Sequence, residues 1–381
     1  MTPNDHGRED GLEEEASARP RYLYVHVPFC RRACSYCDFY FVTSERHKSR
    51  FVAAVEREMA MRSGGAAATL YFGGGTPSRL APEEMNRLVE AAKRNFDLLP
   101  GAEITLEANP EDVQEPAEWK AAGINRVSLG VQSLYDDELR FMHRAHSSQQ
   151  ALAALESVAR VFDNYTFDLI YATPGLSDDA WERTLDTLLA LRPPHFSAYA
   201  LTIESRTRLA KEIERGKIRP PDDEKFVRQF ERLMDAAEKH GYEHYETSNF
   251  ARPGFRAVHN SGYWRGESYW GFGPSAHSYD GERRRHANVA RLDDYLRAIE
   301  NDGLPTAFEE TLGDGERHNE YVLTRLRTAE GIPMDEYLRR FGKPPAVQGV
   351  QPGWLKVVDN HLQLTRAGKI FADAAAAALF V

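Results

Sequence analysis

Short apolar segments alternate along the chain with segments in which apolar residues recur every three or four positions. The apolar segments have the length of buried strands and lie at residues 22–27, 69–72, 103–108, 126–131, 165–171 and 195–201. Helical patterns lie between them, among them 51–62, 82–96, 149–161 and 177–191, the last with Ser177 as its N-cap. This alternation is typical of a parallel sheet covered by helices, so we expect an α/β fold.

The pattern changes after residue 202. A long helix is predicted for 222–240 and an extended segment for 242–250, and an aromatic, glycine-rich segment follows up to 279. Residues 314–381 predict helices at 319–326 and 335–341, a hairpin of strands 355–358 and 361–364, and a last helix capped by Thr365. That order resembles a small winged-helix module. We therefore expect four regions: a tail (1–20), a main domain (21–250), a connecting segment (251–313) and a C-terminal domain (314–381).

Charge and composition argue against several classes of protein. The chain is 42% apolar and 28% charged with a net charge of -10, and no apolar run reaches the roughly 18 residues of a membrane span. The C-terminal domain contains nine Lys and Arg against eight Asp and Glu, too balanced to bind nucleic acid through phosphates. The acidic first 20 residues match neither a signal nor a transit peptide and predict a disordered tail.

All three cysteines of the chain lie close together, as Cys30, Cys34 and Cys37 in a C-x3-C-x2-C spacing. An iron–sulfur cube normally has four cysteine ligands, so three would leave one iron open to a small molecule. The alternatives are a zinc site with Asp38 or His26 as the fourth ligand, and inert thiols. An oxygen-labile cluster favours a reducing compartment, which here would be the cytoplasm.

Further polar and glycine motifs follow the predicted strands. In βα barrels the functional groups lie at the carboxyl ends of the strands, so these motifs predict one shared site. The residues concerned are Gly74, Gly75, Thr76, Glu107, Gln132 and Asp168.

The cysteine spacing resembles that of the radical S-adenosylmethionine (SAM) proteins. Together with the strand-end motifs and Arg144, the chain from about residue 21 onward resembles the oxygen-independent coproporphyrinogen III oxidase family within that group. The resemblance implies a partial (βα)6 barrel, a 4Fe–4S cluster on the three cysteines, and SAM at the open iron. It also implies that Tyr24, Gly74 and Glu107 contact SAM, with Gly75 and Thr76 beside it.

In the oxidase, the residues that match Gln132, Arg144 and Asp168 contact a second SAM. The sequence alone leaves other roles open: Gln132 as a polar group at a strand end, and an ion pair between Arg144 and Asp168. Tyr36, between two of the cysteines, would pack over the adenine or cover the cluster.

Two features separate the branches of this family. Oxidases have a further cysteine at the position of Phe39, and the segment from His259 to Trp264 matches the HNxxYW motif of a heme chaperone branch. The resemblance implies that His259 binds heme iron while Tyr263 and Trp264 pack on the porphyrin. His277 is an alternative ligand, and a histidine among aromatics is more typically a core residue.

The sequence therefore predicts a chaperone that binds a 4Fe–4S cluster, SAM and heme and passes heme to an acceptor protein, through transient contact if that acceptor is in a membrane. The first alternative is the oxidative decarboxylation of coproporphyrinogen III. The second is a radical SAM enzyme that modifies heme. Both alternatives would use the same cofactor site.

Overall fold

Six parallel strands in sequence order form the centre of the fold. The structure, a computed structural model, describes residues 21–381, so the predicted acidic tail lies outside the described residues. Each strand pairs with the next one along the chain, and the predicted α/β fold with a parallel sheet is confirmed. The strands are β1 (Arg21–Val27), β2 (Ala66–Gly74), β3 (Asp97–Ala108), β4 (Arg126–Gln132), β5 (Tyr165–Tyr171) and β6 (His195–Ala200).

Helices follow these strands and cover the sheet. Ser177 caps one of them, its side chain accepting a hydrogen bond from the Ala180 amide as predicted. The five longest of these helices have the predicted apolar faces, whereas the three shorter ones have no clear periodicity in the sequence. The helices are α1 (Lys48–Met61), α2 (Pro82–Asn95), α3 (Pro116–Ala121), α4 (Asp136–Phe141), α5 (Ser148–Val161), α6 (Asp178–Ala190), α7 (Arg208–Glu214) and α8 (Asp223–Lys239).

The sheet continues beyond the six strands on both sides, and of these additional strands the sequence predicted only the extended segment 242–250. Two antiparallel strands extend it past β6, and four more extend it past β1, where β9 pairs in parallel with β1. These strands are β7 (Glu243–Glu246), β8 (Asn249–Ala251), β9 (Tyr269–Phe272), β10 (His277–Tyr279), β11 (Arg284–Asn288) and β12 (Thr306–Thr311). Helices α9 (Val258–Arg265) and α10 (Leu292–Glu300) lie between them.

The C-terminal region forms a separate apolar cluster that includes Val322, Ile332 and Leu379. Thr365 caps a helix, as predicted, but the predicted last helix is two short helices in the structure. No helix of residues 21–381 is long and apolar enough to cross a membrane. The elements are α11 (Asp314–Leu326), β13 (Ile332–Pro333), α12 (Met334–Phe341), β14 (Leu355–Val358), β15 (His361–Leu364), α13 (Arg366–Ile370) and α14 (Ala372–Ala377).

Candidate functional site

A cavity of about 940 Å³ lies at the carboxyl ends of the parallel strands. All three cysteines and most of the predicted site residues line it, whereas His259 and Trp264 do not. The predicted residues in its wall are Tyr24, Tyr36, Gly74, Gly75, Thr76, Glu107, Gln132, Arg144, Asp168 and Tyr263.

The cysteine loop follows β1 and enters the cavity. The Thr76 hydroxyl donates to the Cys30 sulfur at 3.6 Å, and an Arg144 nitrogen donates to the Cys34 sulfur at the same distance. Burial raises the pKa of the Cys30 thiol to about 11, and the Thr76 hydrogen bond opposes that shift. Iron–sulfur clusters bind cysteines as thiolates. Hydrogen-bond donors directed at the sulfurs stabilise this ionised form.

The zinc alternative fits this geometry poorly. One ring nitrogen of His26 lies 2.9 Å from the Tyr40 carbonyl and the other 3.3 Å from the Tyr24 hydroxyl, while Asp38 pairs with Arg206 at 2.8 Å. Within residues 21–381, no three His, Cys, Asp or Glu side chains surround a single ion position. In a cube each thiolate binds a different iron, so the three cysteines fit a cluster better.

Glycines bring the end of β2 close to β1. Gly74 has a φ of +104°, and a Cβ there would lie 2.6 Å from the His26 ring. A Cβ on Gly75 would lie 2.8 Å from the Val27 carbonyl oxygen, which accepts a hydrogen bond from the Gly75 amide. Both positions require glycine, which leaves backbone groups of the loop accessible in the cavity wall.

Glu107 places a buried carboxyl group beside this loop. Tyr71, which the sequence did not single out, donates its hydroxyl to Glu107 Oε1 at 2.7 Å. Burial, with a smaller contribution from Asp168, raises the pKa of Glu107 to about 7. The carboxyl is thus poised to gain negative charge when a cation or hydroxyl groups bind next to it.

Arg144 and Asp168 make separate contacts. Arg144 donates to Asn109 Oδ1 at 2.5 Å and to the Gly130 carbonyl at 3.1 Å, whereas Asp168 accepts from the Ser128 hydroxyl at 3.2 Å. Among residues 21–381 no ion pair joins the two, so that alternative is wrong. The contact between Arg144 and the Asn109 amide oxygen joins residues 35 positions apart in the sequence, so only the structure shows it.

His259 lies behind the cavity wall rather than in it. Its ring is buried, with Nδ1 2.6 Å from the Thr69 hydroxyl and Nε2 2.9 Å from the Tyr263 hydroxyl, and it stacks on Tyr71 with centroids 4.8 Å apart. Desolvation lowers its pKa to about 3. Both ring nitrogens are thus hydrogen-bonded within the protein, and the binding of heme iron by His259 stays a prediction.

The three aromatic residues of the motif segment therefore have different positions. His259 supports Tyr263 through the hydrogen bond between Nε2 and the hydroxyl, and Tyr263 reaches the cavity. Trp264 does not line the cavity, and the Arg327 guanidinium is 5.0 Å from its ring centre; its packing on a porphyrin stays a prediction. The two positions differ because Tyr263 and Trp264 lie on different faces of α9.

A cysteine loop, a glycine loop and a buried carboxyl at the ends of six parallel strands define a radical SAM protein. The Radical SAM superfamily model matches residues 24–188. Proteins of this class use a 4Fe–4S cluster and SAM, and the thiols and the cavity described above fit both.

Comparison with known proteins defines the family more closely. The chain is 38% identical to the heme chaperone HemW of Mycobacterium tuberculosis, covering 93% of this chain and 94% of that protein. It is 31% identical to HemW of Bacillus subtilis and 30% identical to HemW of Escherichia coli, covering 92% and 93% of this chain and 96% of each relative. The chain belongs to the HemW family of radical SAM proteins.

A solved structure supports the fold. The coproporphyrinogen III oxidase HemN of Escherichia coli superimposes with a TM-score of 0.82 over 98% of this chain and 93% of the other, at 22% identity. At that identity the likeness concerns the fold alone.

Proposed function

We propose that this protein is a heme chaperone that binds a 4Fe–4S cluster, SAM and heme, and transfers heme to an acceptor protein. The observation that carries the proposal is the similarity to HemW heme chaperones over almost the whole chain. The acceptor is a second protein, met transiently if it lies in a membrane. The cluster's need for a reducing compartment supports the cytoplasm as the place of action.

The cluster and SAM would share one end of the cavity. Cys30, Cys34 and Cys37 are the proposed cluster ligands. SAM would contact Glu107 through its ammonium or ribose and the loop at Gly74 through backbone groups, since these are the buried carboxyl and the open backbone beside the cysteine loop. Tyr24, Tyr36, Gly75 and Thr76 complete that wall.

Gln132, Arg144 and Asp168 line the same cavity farther along the strand order, and they are the proposed contacts of a second SAM. Gln132 has a φ of +63°, which is uncommon for a residue other than glycine. A backbone held in that region is a feature of functional sites, which supports a ligand-binding role at the end of β4.

Phe39 favours heme binding over decarboxylation. It stands where the oxidases have a further cysteine, its side chain is 69% exposed, and it lines the cavity next to the cluster ligands. An exposed phenyl ring cannot bind a metal, but it provides apolar surface for a planar macrocycle.

Anaerobic assays of the reconstituted protein distinguish the functions. We expect heme titration to give a saturable absorption change at about one heme per chain, and incubation with SAM, a reductant and coproporphyrinogen III to give no protoporphyrinogen. Transfer is checked by mixing the heme-loaded protein with an apo-hemoprotein and following the acceptor's spectrum. Protoporphyrinogen formation would contradict the proposal, and loss of the heme spectrum only with SAM and reductant would indicate heme modification.

A further inference from the structure

A second, smaller cavity lies between the barrel and the C-terminal domain. It has a volume of about 200 Å³ and shares no lining residue with the cavity at the cysteine loop. Strand β7 lines one side of it through His244 and Glu246, and strands β14 and β15 with helix α13 line the other. Residues 326–329, at the end of α11 and after it, complete the wall. A molecule bound there would therefore contact both domains.

Two lysines in this wall have no acidic partner. Within residues 21–381, neither Lys356 of β14 nor Lys369 of α13 forms an ion pair. Lys369 Nζ donates to His244 Nδ1 at 3.1 Å. That ring is neutral, because burial lowers the pKa of His244 to about 3, and its Nε2 donates to the Thr247 carbonyl at 3.1 Å. The two ammonium charges are thus left without a compensating negative charge.

The surroundings of Lys369 disfavour its charged form. Desolvation, with smaller contributions from Lys356 and Arg366, lowers the pKa of Lys369 to about 8. Arg366 itself is paired with Asp235, but no carboxylate within residues 21–381 is paired with Lys369. An anion next to the ammonium would stabilise the protonated form and raise its pKa again.

Two further polar atoms of the wall are buried without a partner. Glu246 is 2% exposed, and its Oε1 accepts hydrogen bonds from the Ser248 amide at 3.1 Å and from the Asn249 side chain. Within residues 21–381 no donor is found for Glu246 Oε2 and no acceptor for Arg327 Nε, and no ion pair joins these two side chains. Buried polar groups of this kind cost free energy unless something in the cavity binds to them.

These groups together select one kind of ligand. The ammonium groups of Lys356 and Lys369 and the Arg327 Nε–H group need negatively charged oxygen acceptors, whereas the Glu246 carboxylate needs a donor. Sulfate has acceptors only. Hydrogen phosphate has the same tetrahedral shape and charge, and it also has one O–H group. The volume of the cavity has room for such an ion together with water.

We propose that the cavity between the two domains binds hydrogen phosphate, or a similar small tetrahedral oxyanion that carries a proton. Lys356 and Lys369 neutralise its charged oxygens, and Arg327 Nε donates to one of them. The O–H group of the ion donates to Glu246 Oε2. No covalent bond is formed or broken, and the inference does not depend on the proposed heme chaperone function.

Binding at this place should also stabilise the junction between the domains. The Thr247 amide donates to the Arg327 carbonyl and the Ala329 amide to the Tyr245 carbonyl, and both amides belong to residues that line the cavity. An ion that connects β7 with β14 and α13 opposes the local opening that breaks these hydrogen bonds. Phosphate should therefore slow the exchange of the two amides with deuterium.

The test is a calorimetric titration of the cluster-loaded protein with inorganic phosphate at pH 7.5, with sulfate as the comparison. We expect saturable phosphate binding that is at least about tenfold tighter than sulfate binding. K369Q should weaken phosphate binding by at least about tenfold, and K356Q, at an exposed position that the fold does not need, by at least about threefold. The control is K343Q, because Lys343 is exposed on the same domain and does not line the cavity.

E246Q tests the role of the proton. The amide oxygen of glutamine can replace Glu246 Oε1, while its NH2 group donates to phosphate and sulfate alike, so the preference for phosphate should fall to about twofold or less. Methyl phosphate separates a free phosphate from a phosphate ester. Its dianion has no O–H group, so the wild-type protein should bind it no more tightly than sulfate.

Several outcomes would overturn the proposal. The wild-type protein shows no saturable phosphate binding if water alone fills the cavity. Phosphate affinity that is unchanged in both K369Q and K356Q, or exchange of the Thr247 and Ala329 amides that does not respond to phosphate, would mean that the ion binds elsewhere. Sulfate or methyl phosphate that binds as tightly as phosphate would refute the role given to the proton and to Glu246.

Discussion

Glu107 shows how burial alone prepares a binding group. Its carboxyl has a pKa near 7 because the side chain is desolvated, and a bound cation would restore the charge that burial disfavours. Because the charge of Glu107 changes with pH near 7, the affinity of the site for a cationic ligand should also change with pH.

We expect SAM affinity to depend on pH through Glu107. Below pH 7 the carboxyl is protonated and neutral, so lowering the pH from 7.5 to 6 should weaken SAM binding by up to about tenfold. The variant E107Q should bind SAM more weakly at pH 7.5 and lack this component, because its amide does not titrate.

Equilibrium dialysis of labelled SAM against anaerobic, cluster-loaded protein measures both affinities. The titration of SAM itself is common to the two proteins and cancels in their ratio. A ratio that is constant between pH 6 and 7.5 would contradict a role for the Glu107 carboxylate.

The sequence could place the strand-end residues in the cavity but could not place the residues of the motif on α9, for a physical reason. Strand-end residues enter the cavity because the carboxyl ends of parallel strands meet there, whatever the details of packing. His259 and Tyr263 lie four residues apart, on one face of a helix, but the direction of that face depends on Thr69 and Tyr71 of a distant strand. No local pattern contains that information.

At the scale of elements, the glycine loop after β2 is the most sharply constrained. We expect G74A to lower the free energy of unfolding by more than about 2 kcal/mol, because it combines a positive φ with a contact of 2.6 Å to the His26 ring. Displacement of the loop should also weaken SAM binding.

The matched control is G101A. Gly101 has a φ of +78°, but a Cβ there would meet nothing within 4 Å, so only the backbone cost of about 1 kcal/mol applies. Denaturant unfolding of both variants in the cluster-free state measures the difference. Equal losses of stability would show that the close approach to His26 is unimportant.

Elements marked by a short sequence pattern, such as a turn, were predicted more accurately than strands that form only by pairing with a distant segment. The hairpin of β14 and β15 has its predicted bounds, since Asp359 and Asn360 accept the positive φ that a two-residue turn requires. Strand β9 has four residues, and the pairing that makes it a strand is with β1, more than 240 residues earlier. The predicted winged-helix character of the C-terminal domain stays a prediction.

At the scale of the whole molecule, the C-terminal domain is joined to the barrel beside α9. The Thr247 amide donates to the Arg327 carbonyl at 3.0 Å, and the Ala329 amide donates to the Tyr245 carbonyl at 2.9 Å. Arg327 also covers Trp264. The motif tryptophan therefore links the two domains.

We expect W264A to loosen this junction. The amides of Thr247 and Ala329 should exchange with deuterium faster, and stability should fall by about 1–3 kcal/mol, because the guanidinium loses its aromatic surface. W354A is the control, since Trp354 stacks on Phe371 within the C-terminal domain, with ring centres 4.8 Å apart. Unchanged exchange at the two amides in W264A would contradict this role.

The position of β1 between β2 and β9 has a consequence for biosynthesis. The cysteine loop leaves the ribosome early, but Tyr269, where the second neighbour of β1 begins, is synthesised 242 residues after Val27. At typical rates of translation this delay lasts about 12–50 s, during which one edge of β1 has no partner. The thiols are thus presented on an unfinished wall, and the part of the cavity lined by Tyr263, Tyr269 and His277 is completed last.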